Sequence, residues 1–507
     1  MTELRHKSNR YIIKRIIVRG TLVLDTPTSL GSGDADSPTD LPLLRDSISN
    51  HALLTGSSIA GALRNYLRER NKGYQESDRR YDLAAKLFGD LFAYKDEKDK
   101  SEKEKIKLRE QDSQSLLIID DAIGTKPIKA ELRDGVKING ATGTAEDKAK
   151  YDLELLQAGT EFPLSFELLV EREANEADLL KGLAIALSGL ENQEICLGMK
   201  KRRGFGRCHV KEWQVWNFNL EDAGDRNLWL NFEHWRTGFI PIFNVHTSIT
   251  EALGIKLDIN GDDKRDRFLI HAQFQLVGSL LIRSGQDSTG RAPDVVHLKF
   301  HRPDKSDSLP VLSGTSLAGV LRHRAERIVN TLGGSSTLVK ELFGFVEGKE
   351  AKSSRLVVHE KVIEKATELV QNRIAIDRFT GGAYHGALFE EQPIFGSDET
   401  LVTIELELRK PEGYEIGLLL LLLKDLWTSD LPVGGESSIG RGRLKGIKAD
   451  LIHHHPPNPQ QWEISEENGT LHVTDKADKG GSGESVRDAL EGFVKALLAH
   501  LGKEVEV

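Results

Sequence analysis

Glycine, lysine, arginine and hydroxyl side chains recur in this chain at spacings suited to holding phosphate. Gly198-Met199-Lys200-Lys201-Arg202-Arg203-Gly204-Phe205-Gly206-Arg207 reads glycine, five residues, then Gly-x-Gly-Arg. Gly434-Gly435-Glu436-Ser437-Ser438-Ile439-Gly440-Arg441-Gly442-Arg443 repeats that spacing. Glycine lets the backbone take φ > 0 and approach a ligand. Successive backbone N–H groups form an anion-binding concavity, and arginine adds a fork of donors matched to phosphate. One such loop reads equally well as a tight helix-to-strand turn with solvated charges; a second copy in matched context favours binding. The copies should not grip equally, because Lys200, Lys201, Arg202, Arg203 and Arg207 face only Glu436, Ser437, Ser438, Arg441 and Arg443 in the other loop. A second pair of candidate sites is Ser57-Ser58 and Thr315-Ser316, at helix starts of the form Gly-Ser/Thr-Ser-x-x-Gly-x-x-Arg. Hydroxyls there cap the helix and can add to its dipole in binding phosphate, with Arg64 and Arg322 two turns further in.

The elements that carry these residues come in two matched sets. Segments around Gly20 and Gly278, and around Arg64 and Arg322, align at an offset of 258. Leu87-Phe88-Gly89 aligns with Leu342-Phe343-Gly344 at 255, and Ser115–Asp120 with Ser354–His359 at 239. Ile138–Ala145 aligns with Ile376–Ala383 at 238, and the glycine loops at 236. The largest drop falls where the first half carries residues 95–110, of which thirteen of sixteen are charged, a solvated insertion. Six anchors in one order mean a tandem duplication. Each half reads β-α-β-β-α-β, the order of a ferredoxin-like α+β fold with long inserted loops.

At 507 residues two or three domains are expected. The boundaries read as a first domain over 1–215, a linker region over 216–265, a second domain over 266–452, and a linker with a C-terminal amphipathic helix over 453–507. His453-His454-His455 could bind metal, but beside Pro456-Pro457 it reads as linker. With 69 Lys+Arg against 78 Asp+Glu the net charge is −9, so nucleic-acid contact must come from local basic loops. Two cysteines, no apolar leader in the first ten residues and no membrane-length apolar run together point to a cytoplasmic protein in a reducing compartment, with no membrane partner.

The doubled glycine loops, the doubled helix starts and Asp377-Arg378-Phe379-Thr380-Gly381-Gly382-Ala383 together resemble the RAMP superfamily of CRISPR-associated proteins, above all the backbone subunits of type III effector complexes. The resemblance covers about residues 10–215 and 267–452. It implies two tandem ferredoxin-like, RRM-related RAMP domains with thumb-like elements, a fusion of two backbone subunits. Guide RNA (crRNA), single-stranded target RNA and other CRISPR effector subunits are the partners it implies. Phe379, Thr380 and the Gly381-Gly382 turn would form a thumb that separates guide bases. The first half has Asn139-Gly140-Ala141 in place of Asp377-Arg378-Phe379, and its wedge residue is not identifiable.

The same resemblance implies catalysis. Type III backbone subunits carry an aspartate, in a pattern Asp-x-Pro-hydrophobic-x-basic-Asp after the first strand, that supports metal-dependent cleavage of target RNA. Asp40-Leu41-Pro42-Leu43-Leu44-Arg45-Asp46 fits, and Asp294-Val295-Val296-His297-Leu298-Lys299 fits its start, with Phe300 where Asp46 stands. The expected catalytic residues are therefore Asp40 and Asp294. Asp36 is an alternate, because an ungapped offset of 258 pairs it with Asp294, and Asp34 stands behind it. A lone carboxylate can hold a divalent ion or position a 2′-hydroxyl; its plain reading is a solvated turn residue. The expected cofactor is Mg²⁺ or Mn²⁺ held through oxygen, its ligands unassigned. Two other functions stay open: a purely structural RNA-binding subunit, and a guide-processing endoribonuclease using a histidine such as His51 or His209, neither of which is duplicated.

Overall fold

In the segment Arg267–Val277 every second side chain is apolar, and Phe268, Ile270, Ala272, Phe274 and Leu276 are all buried while their neighbours are more exposed. That period of two makes a strand with one face on a core, and it anchors the second of two similar sheets. The computed structural model describes residues 10–33, 42–74, 82–90, 101, 103–104, 113–140, 142–235, 244–256, 263–284, 293–302, 305, 307–467, 469–476 and 483–503. Asp34, Asp36, Asp40 and all but three residues of the charged insertion lie outside them.

The first half runs β1 (Ile12–Leu24), α1 (Gly56–Lys72), α2 (Leu83–Phe88), β2 (Leu117–Ile119), a hairpin β3 (Ala130–Ile138) and β4 (Ala145–Leu156), β5 (Glu161–Glu171), α3 (Glu176–Glu191), β6 (Cys208–Asn219) and α4 (Ala223–Leu230). Its sheet has the order β2-β5-β1-β6, each pair antiparallel. Ile16, Val18, Leu22 and Leu24 pack with Ile59, Leu63, Leu183 and Leu187 of the two long helices. Set aside the hairpin and α4, and the strand order 2-3-1-4 with two helices on one face is the ferredoxin-like arrangement.

The second half repeats it with β7 (Arg267–Val277), β8 (Val295–Val296), α5 (Gly314–Thr331), α6 (Thr337–Phe343), β9 (Leu356–Val358), a hairpin β10 (Gln371–Ile376) and β11 (Ala383–Gln392), β12 (Leu401–Arg409), α7 (Gly413–Trp427) and β13 (Arg443–His454). The order is β9-β12-β7-β13.

Two stretches read as linkers are built into the fold. Beyond β13 the sheet continues through β14 (Gln460–Glu467) and β15 (Thr470–Asp475), and α8 (Gly483–His500) packs on α7. Contact there is close: a Cβ on Gly417 would lie 2.2 Å from the Phe493 carbonyl oxygen. His453 and His454 belong to the sheet because Trp462 on the next strand is buried and holds the extension down. Likewise Trp216 and Phe218 lie on β6, packed with Ile17 beneath Trp229 and Phe232, so the start of the 216–265 region covers the sheet's second face.

The two halves share a core. Leu153 and Leu155 from β4, and Phe205 from the first glycine loop, are buried among the apolar side chains of the second half. Burying an aromatic side chain stabilises by roughly 1.5–3 kcal/mol, so the loop chosen for its charges is also a structural plug.

Candidate nucleic-acid interface

The two glycine loops have the same backbone. Gly198 and Gly434 have φ +80° and +79°, Lys200 and Glu436 +53° and +60°, Gly204 and Gly440 +86° and +87°, and Gly206 and Gly442 +77° and +78°. Between them a short 3-10 turn forms at Lys201–Arg203 and at Ser437–Ile439. A Cβ on Gly206 or Gly442 would fall 1.8 or 1.9 Å from a backbone oxygen, Leu197 or Val433, so only glycine fits there.

Their surroundings differ. The first loop lies against the second half, where a Cβ on Gly314 would be 2.3 Å from the Arg203 carbonyl oxygen. Beside it opens a cleft of about 780 Å³ between the halves, lined by Ser57, Ser58, Lys201, Arg202 and Arg207 together with His359 and Arg409 of the second half. Five residues singled out from sequence thus converge. Lys201 is exposed; Arg202 carries a buried Nη1 without a hydrogen-bond partner among the described residues. Burial, and then the Arg409 guanidinium, hold the Arg202 pKa below the usual arginine value. Glu69, Glu194 and Glu407 line the same cleft, so its cationic side chains are partly countered there. Arg207 pairs with Glu405 at 3.1 Å, and Lys200 sits over the Tyr151 ring at 3.7 Å. Arg203 donates to the Phe343 carbonyl at 3.3 Å.

Other expected contacts are spent inside the protein. Arg64 pairs with Asp90 at 3.1 Å, and Arg322 donates to the Gly344 carbonyl at 3.1 Å and to Glu326. Each arginine thereby ties its helix to the end of the short helix that follows, α2 or α6. Arg441 is 3% exposed and reaches Glu391 at 2.9 Å and Glu436 at 3.0 Å, while Arg443 is exposed. The residue that caps α1 is Thr55, whose hydroxyl accepts from the Ser58 N–H, leaving Ser57 and Ser58 exposed on the cleft. Thr315 and Ser316 are half-buried, on the turn of α5 that the first loop abuts.

The hairpin tips match as closely as the loops. Asn139 N–H donates to Thr144 O at 2.9 Å and Gly143 N–H to Asn139 O at 2.8 Å; Asp377 N–H donates to Gly382 O at 2.8 Å and Gly381 N–H to Asp377 O at 2.9 Å. Asp377 Oδ1 also accepts from the Phe379 and Thr380 N–H groups, both at 2.8 Å, and presents Phe379 at 96% exposure. The first tip instead rests on α5, where a Cβ on Gly140 would be 3.0 Å from the His323 ring.

At the base of each hairpin lies the loop that carries the aspartate pattern. In the first half Ser32 N–H donates to Pro42 O at 3.0 Å and Leu44 N–H to Leu30 O at 2.7 Å. In the second, Ser284 N–H donates to Val296 O at 3.1 Å and Leu298 N–H to Ile282 O at 2.8 Å. Pro42 and Val296 therefore hold equivalent places, and in sequence Asp40 and Asp294 each stand two residues earlier. Asp294 is exposed, and its Oδ2 accepts the Glu390 N–H of β11 at 2.8 Å. Of the histidines considered for guide processing, His209 pairs with Asp25 at 2.8 Å, whereas His51, whose ring meets the Gly124 carbonyl at 2.7 Å, sits against the first aspartate loop, its own carbonyl accepting the Asp46 N–H at 2.8 Å.

The RAMP superfamily model matches residues 21–209 and 273–445, one span in each half. The chain belongs to the RAMP superfamily. Members of the superfamily are typically CRISPR-associated and RNA-binding, and the two matched spans are the two tandem domains whose loops are described above. No curated protein matches the chain. Among the described residues no helix is long and apolar enough to cross a membrane.

Proposed function

We propose that this RAMP protein is a double backbone subunit of a type III CRISPR ribonucleoprotein, binding guide RNA and cleaving complementary target RNA at Asp40 and Asp294. The observation that carries this reading is the repeated frame: in both halves the same hydrogen-bonded loop lies at the base of a hairpin with the same tip, two residues after an aspartate. Guide RNA would track the cleft through Lys201 and Arg202, with Ser57 and Ser58 offering hydroxyls at the start of α1. Phe379 would wedge between bases, since an exposed ring on a rigid turn stacks on any base. Other effector subunits would flank the chain.

Mg²⁺ or Mn²⁺ would supply Lewis acidity at the scissile phosphate. Among the described residues Asp294 belongs to no group of three convergent donors. That suits an ion drawing most of its shell from phosphate oxygens and water. The aspartate itself would orient it or the attacking 2′-hydroxyl.

The test is target-RNA cleavage by the assembled complex at single-nucleotide resolution, with Asp40→Ala, Asp294→Ala and the double variant, with and without Mg²⁺. Each single change should erase one product. Survival of every product in an assembled complex would leave a non-catalytic RNA-binding subunit, a reading favoured by the bond Asp294 already makes to Glu390.

A further inference from the structure

Where the second half begins and its sheet first ends, three donors converge that neither the cleft nor the aspartate loops use. Asp266 immediately precedes β7; His453 lies at the end of β13, the neighbouring strand, and His455 immediately follows it. His453 Nε2 lies 3.4 Å from Asp266 Oδ1, and His455 Nδ1 lies 3.0 Å from Asp266 Oδ2. One ligand atom from each of the three lies within 4.8 Å of the other two. The N–H of His455 donates to the His453 carbonyl at 3.0 Å, a three-residue turn that folds the second imidazole back beside the first, ring centroids 5.4 Å apart.

Asp266 Oδ1 and His453 Nε2 are buried and face each other at 3.4 Å without hydrogen-bond geometry, and the buried Nδ1 of His453 has no hydrogen-bond partner among the described residues. Buried polar atoms are normally satisfied, and such a group calls for an explanation. His453 is wedged edge-on between Phe268 and Phe493, at 6.0 and 6.2 Å, an apolar setting that favours neutral imidazole, the form that binds metal. His454 points elsewhere, its Nδ1 on the Arg265 carbonyl at 2.7 Å.

We propose that Asp266, His453 and His455 form a transition-metal site, suited to Zn²⁺, that fastens the start of the second half to the end of β13. Two imidazoles and a carboxylate make a donor set zinc accepts, with water as a fourth ligand. Bonds of about 2.0–2.1 Å in a tetrahedron set donors about 3.3 Å apart. The two nitrogen–oxygen separations lie close to that edge, each to a different oxygen of Asp266, and the exposed His455 ring has room to move onto a shared ion. The ion would be structural, held at the seam between the joining segment, β13 and the helix that brings Phe493.

The experiment uses the full chain, purified without a polyhistidine tag and stripped with chelator. Titration with Zn²⁺ should show one site per chain and a rise in melting temperature, and Co²⁺ should give the visible bands of a four- or five-coordinate ion. Asp266→Asn and His455→Asn should each weaken binding more than about tenfold and abolish the melting shift, while His454→Asn should leave affinity unchanged. His455 is exposed, so its replacement leaves the fold intact and the outcome readable. Chelation by the bare histidine run would depend on His454 as much as His455 and not on Asp266; that result, or no zinc bound by the wild type, overturns the assignment.

Discussion

Arg133 Nη2 lies 2.8 Å from Glu360 Oε2, and the two side chains, one from each half, are 6% and 0% exposed. Arg302 donates to the other oxygen of Glu360 at 2.9 Å, and the Arg133 guanidinium stacks between Phe205 and Phe300 at 4.6 and 3.9 Å. One carboxylate thus neutralises two arginines in the seam between the duplicated domains.

Removing it leaves both arginines without their direct partner, with Glu131 nearby. Glu360→Ala is expected to cost about 3–5 kcal/mol, the range for breaking a buried ion pair from one side. Urea denaturation measures it, and an unmoved midpoint would mean that the arginines find water or another partner.

Phe205 and Arg441 occupy the same place in identical loops, yet Phe205 enters the other half's core and Arg441 is held by Glu391. Phe205→Ala should destabilise by about 3–5 kcal/mol and split one calorimetric transition into two as the halves uncouple. A single, equally cooperative transition would show that Leu153 and Leu155 suffice.

Lys201 and Arg202 face the cleft, whereas Arg64 is paired with Asp90. Replacing Lys201 and Arg202 with Ala should weaken single-stranded RNA binding and flatten the plot of log affinity against log salt by about 0.7 per lost phosphate contact. Arg64→Ala should lower stability and leave that slope alone. Equal slopes for all three proteins would place the RNA elsewhere.

His297 is 1% exposed; its Nδ1 accepts the Ile282 N–H at 3.2 Å and its Nε2 meets the Val311 carbonyl at 3.2 Å. Burial pushes its pKa down to about 4. The unfolded chain takes up this proton near pH 6.5 and the folded chain only near 4, so the contribution is complete above 6.5 and lost as pH falls to 4. Its full size is about 3 kcal/mol. Stability measured at pH 7 and 4.5 should fall less in His297→Asn than in wild type; parallel curves would reject the assignment.

The duplication and each half's order of elements were legible because burial imposes a period of two on strands such as Arg267–Val277, and glycine marks the forced turns at Gly206 and Gly442. Ser57, Ser58, Lys201 and Arg202 were legible as a group because the loop and the helix start each had a copy. Hidden was which copy faces solvent. Nothing local in Gly-Phe-Gly-Arg says that Phe205 enters the core of another domain, nor in Gly-Arg-Gly-Arg that Arg441 meets a buried carboxylate fifty residues upstream. Those contacts depend on how the halves and hairpins come together. For the same reason His453 and His455 read as linker: Asp266, their partner, is nearly two hundred residues away in the chain.

The core shared through Phe205, Leu153 and Leu155 has an arithmetic consequence. For two separate subunits, adjacency is a matter of concentration and a dissociation constant; here it is a matter of the folding equilibrium alone. Dilution cannot part the halves, and neither half can be swapped for a competitor. The interval between the two hairpin tips is set before any partner arrives, so the molecule is a ruler with two marks whose spacing is fixed in the reading frame.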